Sequence, residues 1–93
     1  ALSLAKEQDS LFQKICEIIK GIEKKKGAPL PGYKGGRSFQ NYDNILPKGI
    51  SYKEYDIYPY IQGQNRGAER LVLGSDGSAW YTCDHYKIFS RIK

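Results

Sequence analysis

Methionine is absent from the 93 residues, tryptophan and histidine occur once each, and cysteine occurs twice. Each scarcity excludes something. Zinc sites are built from close pairs of cysteine or histidine, and Cys16, Cys83 and the lone His85 are too few and too scattered to make one. The two cysteines stand as free thiols or form a single disulfide, and neither state identifies a compartment. No apolar run approaches the roughly 20 residues that span a bilayer, and no secretory signal is visible. The chain opens on an alanine, which reads as the start of a mature secreted product or of a domain excised from something longer.

What is present points to a turn-rich fold. Eight tyrosines, ten glycines and four prolines suit short strands joined by turns rather than a helical bundle. At this length the chain makes one small domain, which buries only about 60 to 65% of its unfolded surface. Lysine and arginine total 15 against 10 aspartates and glutamates, a net charge of +5. That excess serves solubility, and it equally favours an anionic partner such as nucleic acid or a membrane surface.

Along DSLFQKICEIIKGIEKKKG, Leu11, Ile15, Ile18 and Ile22 recur at helical spacing, and Phe12, Cys16 and Ile19 widen the stripe. The spacing predicts a helix over about residues 10–26, opened by a capping box of Ser10 with Gln13. Lys24, Lys25 and Lys26 suit the negative end of the helix dipole, and Gly27 is a natural stop. Those lysines read as a solvated helix end rather than as phosphate contacts. Next comes GAPLPGYKGGRSFQNYDNILPKG, too polar for a core and too rich in turn formers to be regular. It is expected to be a long loop, with its functional part over about residues 32–48, because long ordered loops in small domains tend to carry function.

The remainder alternates at the period of a strand. SYKEYDIY sets Tyr52, Glu54, Asp56 and Tyr58 on one face and Lys53, Tyr55 and Ile57 on the other, and ERLVLG sets Leu71 and Leu73 opposite Arg70. AWYTC and KIFSRI continue the pattern, with turns at QGQNRG and GSDG. The sum is an α+β domain: an N-terminal helix on one face of an antiparallel sheet of about residues 51–92, with the other face left open.

If the helix covers the apolar face, Glu54 and Arg70 project onto the uncovered one, beside Arg66 from the preceding turn and His85 from the last hairpin. A carboxylate and an imidazole can take and give one proton each, while two guanidiniums can clamp a phosphate and stabilise charge building on it. Cleavage of RNA fits that inventory. Surface charges paired across neighbouring strands account for the same Glu and Arg, and that is the commoner fate of such residues.

Three ordered motifs favour the first reading. FQNYDNILP resembles the base-recognition loop, of pattern F-x-N-R-E-x-x-LP, of the barnase family of bacterial guanyl-specific ribonucleases. NRGAER before an apolar run and a glycine resembles that family's R-x-x-x-R segment, and TCDHYKIF resembles its DHY-x-x-F ending. The likeness runs from about Gly32 to Ile92. It implies Glu54 as general base, His85 as general acid, Arg66 and Arg70 holding and polarising the scissile phosphate, and Tyr86 lying against the substrate. Phe39, Gln40, Asn41, Tyr42 and Asp43 would hold guanine, partly through backbone groups and partly through the carboxylate. Lys34 and Arg37 stand just ahead of them, either as contacts to neighbouring phosphates or as plain surface cations. The chain departs from the family in having Tyr42 and Asp43 where Arg then Glu is usual, and Cys83 where a small residue is common.

The resemblance thus implies a metal-independent, cofactor-free endoribonuclease cleaving single-stranded RNA 3′ of guanosine through a 2′,3′-cyclic phosphate. The rival from another class is a non-catalytic RNA-binding module, since Arg66, Arg70, Tyr42 and Tyr86 also suit phosphate contact and stacking. A binder has no use for Glu54, which repels phosphate. The expected partners are single-stranded RNA and a small acidic inhibitor or immunity protein; no membrane partner is expected, and the chain is read as a monomer. The expected setting is outside the producing cell, either as a secreted nuclease or as a toxin domain delivered into a target.

Overall fold

A computed structural model describes residues 2–93, with side chains from Ser10 onward. Helix α1 spans Leu2–Lys24 and is followed by five strands: β1 Gly35–Phe39, β2 Tyr52–Tyr55, β3 Arg70–Gly74, β4 Ala79–Thr82 and β5 Ser90–Arg91. The strands pair in chain order, each antiparallel to its neighbours. The α+β arrangement expected from the alternating patterns is the one observed, with α1 on one face of the sheet.

The helix stripe is what holds the two layers together. Ile15, Ile18, Ile19 and Ile22 pack against Tyr55, Ile57, Leu71 and Ala79, all of them buried, and burial of each large apolar side chain is worth about 1.5 to 3 kcal/mol. Leu71 and Leu73 face the helix while Arg70 faces away, as their alternation requires. At its end α1 stops with Lys26 at φ 57° and Gly27 at φ 96°, and the Gly27 amide donates to the Ile22 carbonyl at 2.9 Å. This is the left-handed closure that glycine makes easy.

The helix starts at Leu2 rather than near Ser10. The preceding segment LSLAKEQ is made mostly of strong helix formers and contains neither Gly nor Pro, so nothing stops the helix there. Ser10 and Gln13 therefore lie inside it and form no cap.

A second difference is that the expected long loop contains β1. Two adjacent glycines speak against a strand by propensity, but β2 offers a free row of backbone groups, and pairing with it overrides local preference. Gly35 sits at φ 155°, and a Cβ there would come within 2.8 Å of the Tyr55 Cα, so only glycine lets the two strands approach. The register then slips between Gly35 and Arg37, which is a bulge, and resumes with Arg37 opposite Glu54 and Phe39 opposite Tyr52.

The face away from the helix is also not left open. Leu46, Tyr52 and Val72 are buried on it, ringed by Phe39, Ile50, Trp80, Tyr86 and Phe89. Tyr52 is buried to 4% exposure and donates its hydroxyl to the Pro47 carbonyl at 2.7 Å, which ties the end of the loop to β2. Tyr58 departs from the face assigned by alternation as well. β2 ends at Tyr55, the chain bends, and Lys14 of α1 lies 4.1 Å over the Tyr58 ring. Period-2 reasoning holds only as long as the strand does.

Candidate active site

A cleft of about 610 Å³ opens beside the second apolar cluster. It gathers Phe39, Gln40, Asn41, Tyr42 and Asp43 from β1 and the turn after it, Glu54 from β2, and His85 and Tyr86 from the turn after β4. Glu54 stands in the middle of a central strand, so its backbone is fixed by both neighbours. The Tyr86 hydroxyl donates to Glu54 Oε2 at 2.8 Å. Burial first, and the Glu54 carboxylate next, push that hydroxyl well above the ordinary phenol range. It therefore stays protonated and donating throughout neutral conditions. The Tyr86 ring stacks on Phe39 with centroids 4.9 Å apart, and the His85 ring meets it edge-on at 4.6 Å.

His85 and Tyr86 both have positive φ, 58° and 77°. That is uncommon for side chains of this size and needs support from the surroundings. The support comes from Thr82 and Asp84. Thr82 Oγ1 donates to Asp84 Oδ1 at 2.8 Å and accepts from the Tyr86 amide at 3.2 Å. The same Asp84 oxygen accepts the amides of Lys87 and Ile88 at 3.1 and 3.0 Å, while the His85 amide donates to the Ala68 carbonyl at 3.0 Å.

The bonds from the Ile88 amide and from Thr82 lower the Asp84 pKa below its ordinary value. A depressed carboxylate stabilises the native turn above its unfolded pKa, and that contribution is lost as pH falls through the lower, native one. Amide exchange at His85 and Tyr86 should accordingly quicken once pH drops below about 4, ahead of exchange in β2 and β3. Asp84→Asn should remove this pH dependence; a turn that loosens identically in the variant would rule Asp84 out as its organiser.

The recognition turn is held by its own asparagine. Asn41 Nδ2 donates to the Leu46 carbonyl at 2.8 Å, and its Oδ1 accepts the Leu46 amide at 3.1 Å. Asn41 and Asn44 both sit at φ 54°, a conformation asparagine tolerates. With the Asn41 side chain latched across the turn, the groups free to meet a ligand are the backbone, the Asp43 carboxylate and the Tyr42 ring, which is 86% exposed.

The two arginines converge on Asp56 rather than on the cleft. Arg66 grips Asp56 with a two-pronged bond, Nε to Oδ2 at 2.7 Å and a terminal nitrogen to Oδ1 at 2.6 Å. Arg70, buried to 5% exposure, brings Nε within 3.3 Å of the same Oδ1 and donates to the carbonyls of Gly67 and Glu69. Asp56 is itself 4% exposed. The assembly borders the cleft, since Glu54 and Tyr86 both feel its charge: Glu54 contributes to holding Arg66 protonated, and Arg70 acts on Tyr86.

Arg37 is exposed and stands across the β1–β2 ladder from Glu54, while Lys34 lies 4.4 Å over the Tyr60 ring, away from the cleft. Sequence reasoning missed Asp56 as the hub, and Thr82 and Asp84 as the organisers of the turn. The T-x-D spacing, which suits a side-chain-closed turn, was the available signal for the last two. Cys16 and Cys83 are both free thiols.

A family model described as ribonuclease matches residues 5–93. The chain is 41% identical over 66 residues to the guanyl-specific ribonuclease St of Saccharopolyspora erythraea, covering 69% of this chain and 64% of the relative. It is 43% identical over 61 residues to a ribonuclease of Heyndrickxia coagulans, covering 63% of this chain and 54% of the relative. The chain therefore spans between about half and two thirds of the length of these curated relatives. Among solved structures it is similar to the crystal structure of ribonuclease Sa2 with guanosine-2'-cyclophosphate, at 26% identity and a TM-score of 0.59, covering 85% of this chain and 83% of that one.

Proposed function

The chain belongs to the ribonuclease family, and from that premise we propose that it is a metal-independent endoribonuclease that cuts single-stranded RNA on the 3′ side of guanosine. The observation that carries the proposal is the meeting, in one cleft, of a carboxylate, an imidazole and a turn with a carboxylate free to read a base. In the proposed reaction Glu54 takes the proton of the 2′-hydroxyl, whose oxygen attacks the adjacent phosphorus. The bond to the departing 5′-oxygen breaks, and His85 supplies the proton that oxygen requires. The products are a 2′,3′-cyclic phosphate and a new 5′-hydroxyl. Arg66 and Arg70, held by Asp56, supply positive charge for the phosphoryl oxygens as negative charge builds there. Purified protein should cleave RNA in the presence of a chelator and leave cyclic phosphate ends; activity that dies with the chelator would end this reading.

Asp43 is proposed to read the base. Guanine offers two donors on its Watson–Crick edge, N1–H and N2–H, and a carboxylate accepts both at once. Adenine presents an acceptor at N1, which would face the carboxylate lone pairs at a cost of about 1 to 3 kcal/mol per unpaired group. Aspartate is one methylene shorter than glutamate, so the base must sit deeper. Asp43→Asn should lower kcat/KM on GpX dinucleotides far more than on ApX, and Asp43→Glu should sharpen the preference. Equal losses on both in Asp43→Asn would leave recognition to the backbone of Gln40, Asn41 and Tyr42.

The same reading extends to context. An enzyme of this chemistry is toxic inside its producer, so the proposal places its action outside that cell, as a secreted nuclease or as a delivered toxin domain. A small acidic inhibitor matches the cationic balance of the chain. A gene for such a protein directly beside this one favours the toxin form, and its absence favours the exported nuclease.

A further inference from the structure

We propose that a second cavity, of about 250 Å³, bounded by Tyr58, Tyr60, Ile61, Gln64, Asn65 and Arg66, is a subsite for the nucleotide on the leaving side of the cut. The inference rests on the ribonuclease reading above and assigns a function to a loop that reading does not use.

Position is the first argument. Along β2, Tyr52 lies beside Phe39 at the recognition turn, Glu54 stands at the centre of the cleft, and Asp56 follows two residues on. At the rise of an extended chain, Asp56 lies about 7 Å beyond Glu54. A guanosine held by residues 39–43, with its 2′-hydroxyl at Glu54, therefore directs the rest of the RNA toward Asp56 and the cavity that borders it. The His85 amide bonds the carbonyl of Ala68 at 3.0 Å. Gly67 and Glu69, on either side of Ala68, also line the cavity. The group that protonates the departing oxygen is thus anchored to the rim of the second cavity.

Chemistry is the second argument. Tyr58, Tyr60 and Ile61 are 44%, 41% and 55% exposed, three large apolar side chains grouped outside either core. Lys34 holds its ammonium 4.4 Å over the Tyr60 ring. Arg66 uses Nε and one terminal nitrogen on Asp56, which leaves other N–H groups of its five-donor fork for a phosphate. Aromatic faces, amides and cations in one concave site are the inventory that holds a single-stranded nucleotide. Glu69 bonds the Tyr58 hydroxyl and repels phosphate, which orients the ligand. The base lies toward Tyr58 and Tyr60, and the phosphate lies toward Arg66 and Lys34.

The test compares GpApA with guanosine 3′-methylphosphate, which carries the scissile diester but no leaving-side base. In Tyr60→Ala the ratio of kcat/KM on GpApA to that on the methyl ester should fall about tenfold or more, the range expected on loss of a stacking partner. Tyr60→Phe should keep the wild-type ratio, and thermal melting should show that both variants fold. A ratio that does not move in Tyr60→Ala, in Tyr58→Ala or in the double variant overturns the subsite alone. If the wild-type protein cleaves neither substrate, the ribonuclease reading fails and the subsite fails with it.

Discussion

Glu54→Gln and His85→Asn should each lower kcat on single-stranded RNA by about 10²- to 10⁴-fold, the usual worth of a positioned base or acid. Both substitutions are chosen so that the fold survives. Glutamine keeps an oxygen to accept the Tyr86 hydroxyl, which in the native protein donates to Glu54 at 2.8 Å. Asparagine tolerates the φ of 58° at which His85 sits, where alanine would be strained. Neither replacement can carry the transferred proton. The wild-type profile of kcat/KM against pH should be a bell, and each variant should lose one limb of it. Near-normal turnover in either variant, with an unchanged melting temperature, would remove that residue from the reaction. Near-normal turnover in both would return the cleft to a binding role.

Asp56→Ala should destabilise the protein by about 3 to 5 kcal/mol, the usual consequence of leaving a buried charge without its partner. The residue carries that much because its environment is dry: Asp56 is 4% exposed and Arg70 5%. With the carboxylate gone, the Arg70 Nε that lies 3.3 Å from it keeps its charge in the interior without compensation. Arg66 loses the two bonds, of 2.7 and 2.6 Å, that fix its plane. Activity should therefore fall even under conditions where the variant remains folded, because the guanidiniums no longer converge. Chemical denaturation read as the shift in midpoint at constant slope gives the stability term. A loss below about 1 kcal/mol would mean that water enters freely and that the network behaves as a surface pair.

The sequence alone was enough for whatever depends on neighbours along the chain. The isoleucine stripe of α1 and the alternation in β2 and β3 are local periodicities, and they were sufficient to assign the α+β class and to put Leu71 and Leu73 toward the helix. The residues grouped in the cleft were also legible, because motifs such as FQNYD and DHY keep their chemistry within a few positions. The tertiary structure decided what depends on distant partners. Strand β1 exists because β2 offers it backbone bonds, against the preference of its own glycines. The Tyr86 hydroxyl meets Glu54 across 32 positions, and Arg66 meets Asp56 across 10. Lys34 belongs to Tyr60 rather than to the cleft. In each case a polar or charged group takes the partner that burial forces on it, since an unpaired one is costly away from water. No pattern read along a single segment records which partner the folded chain brings within reach.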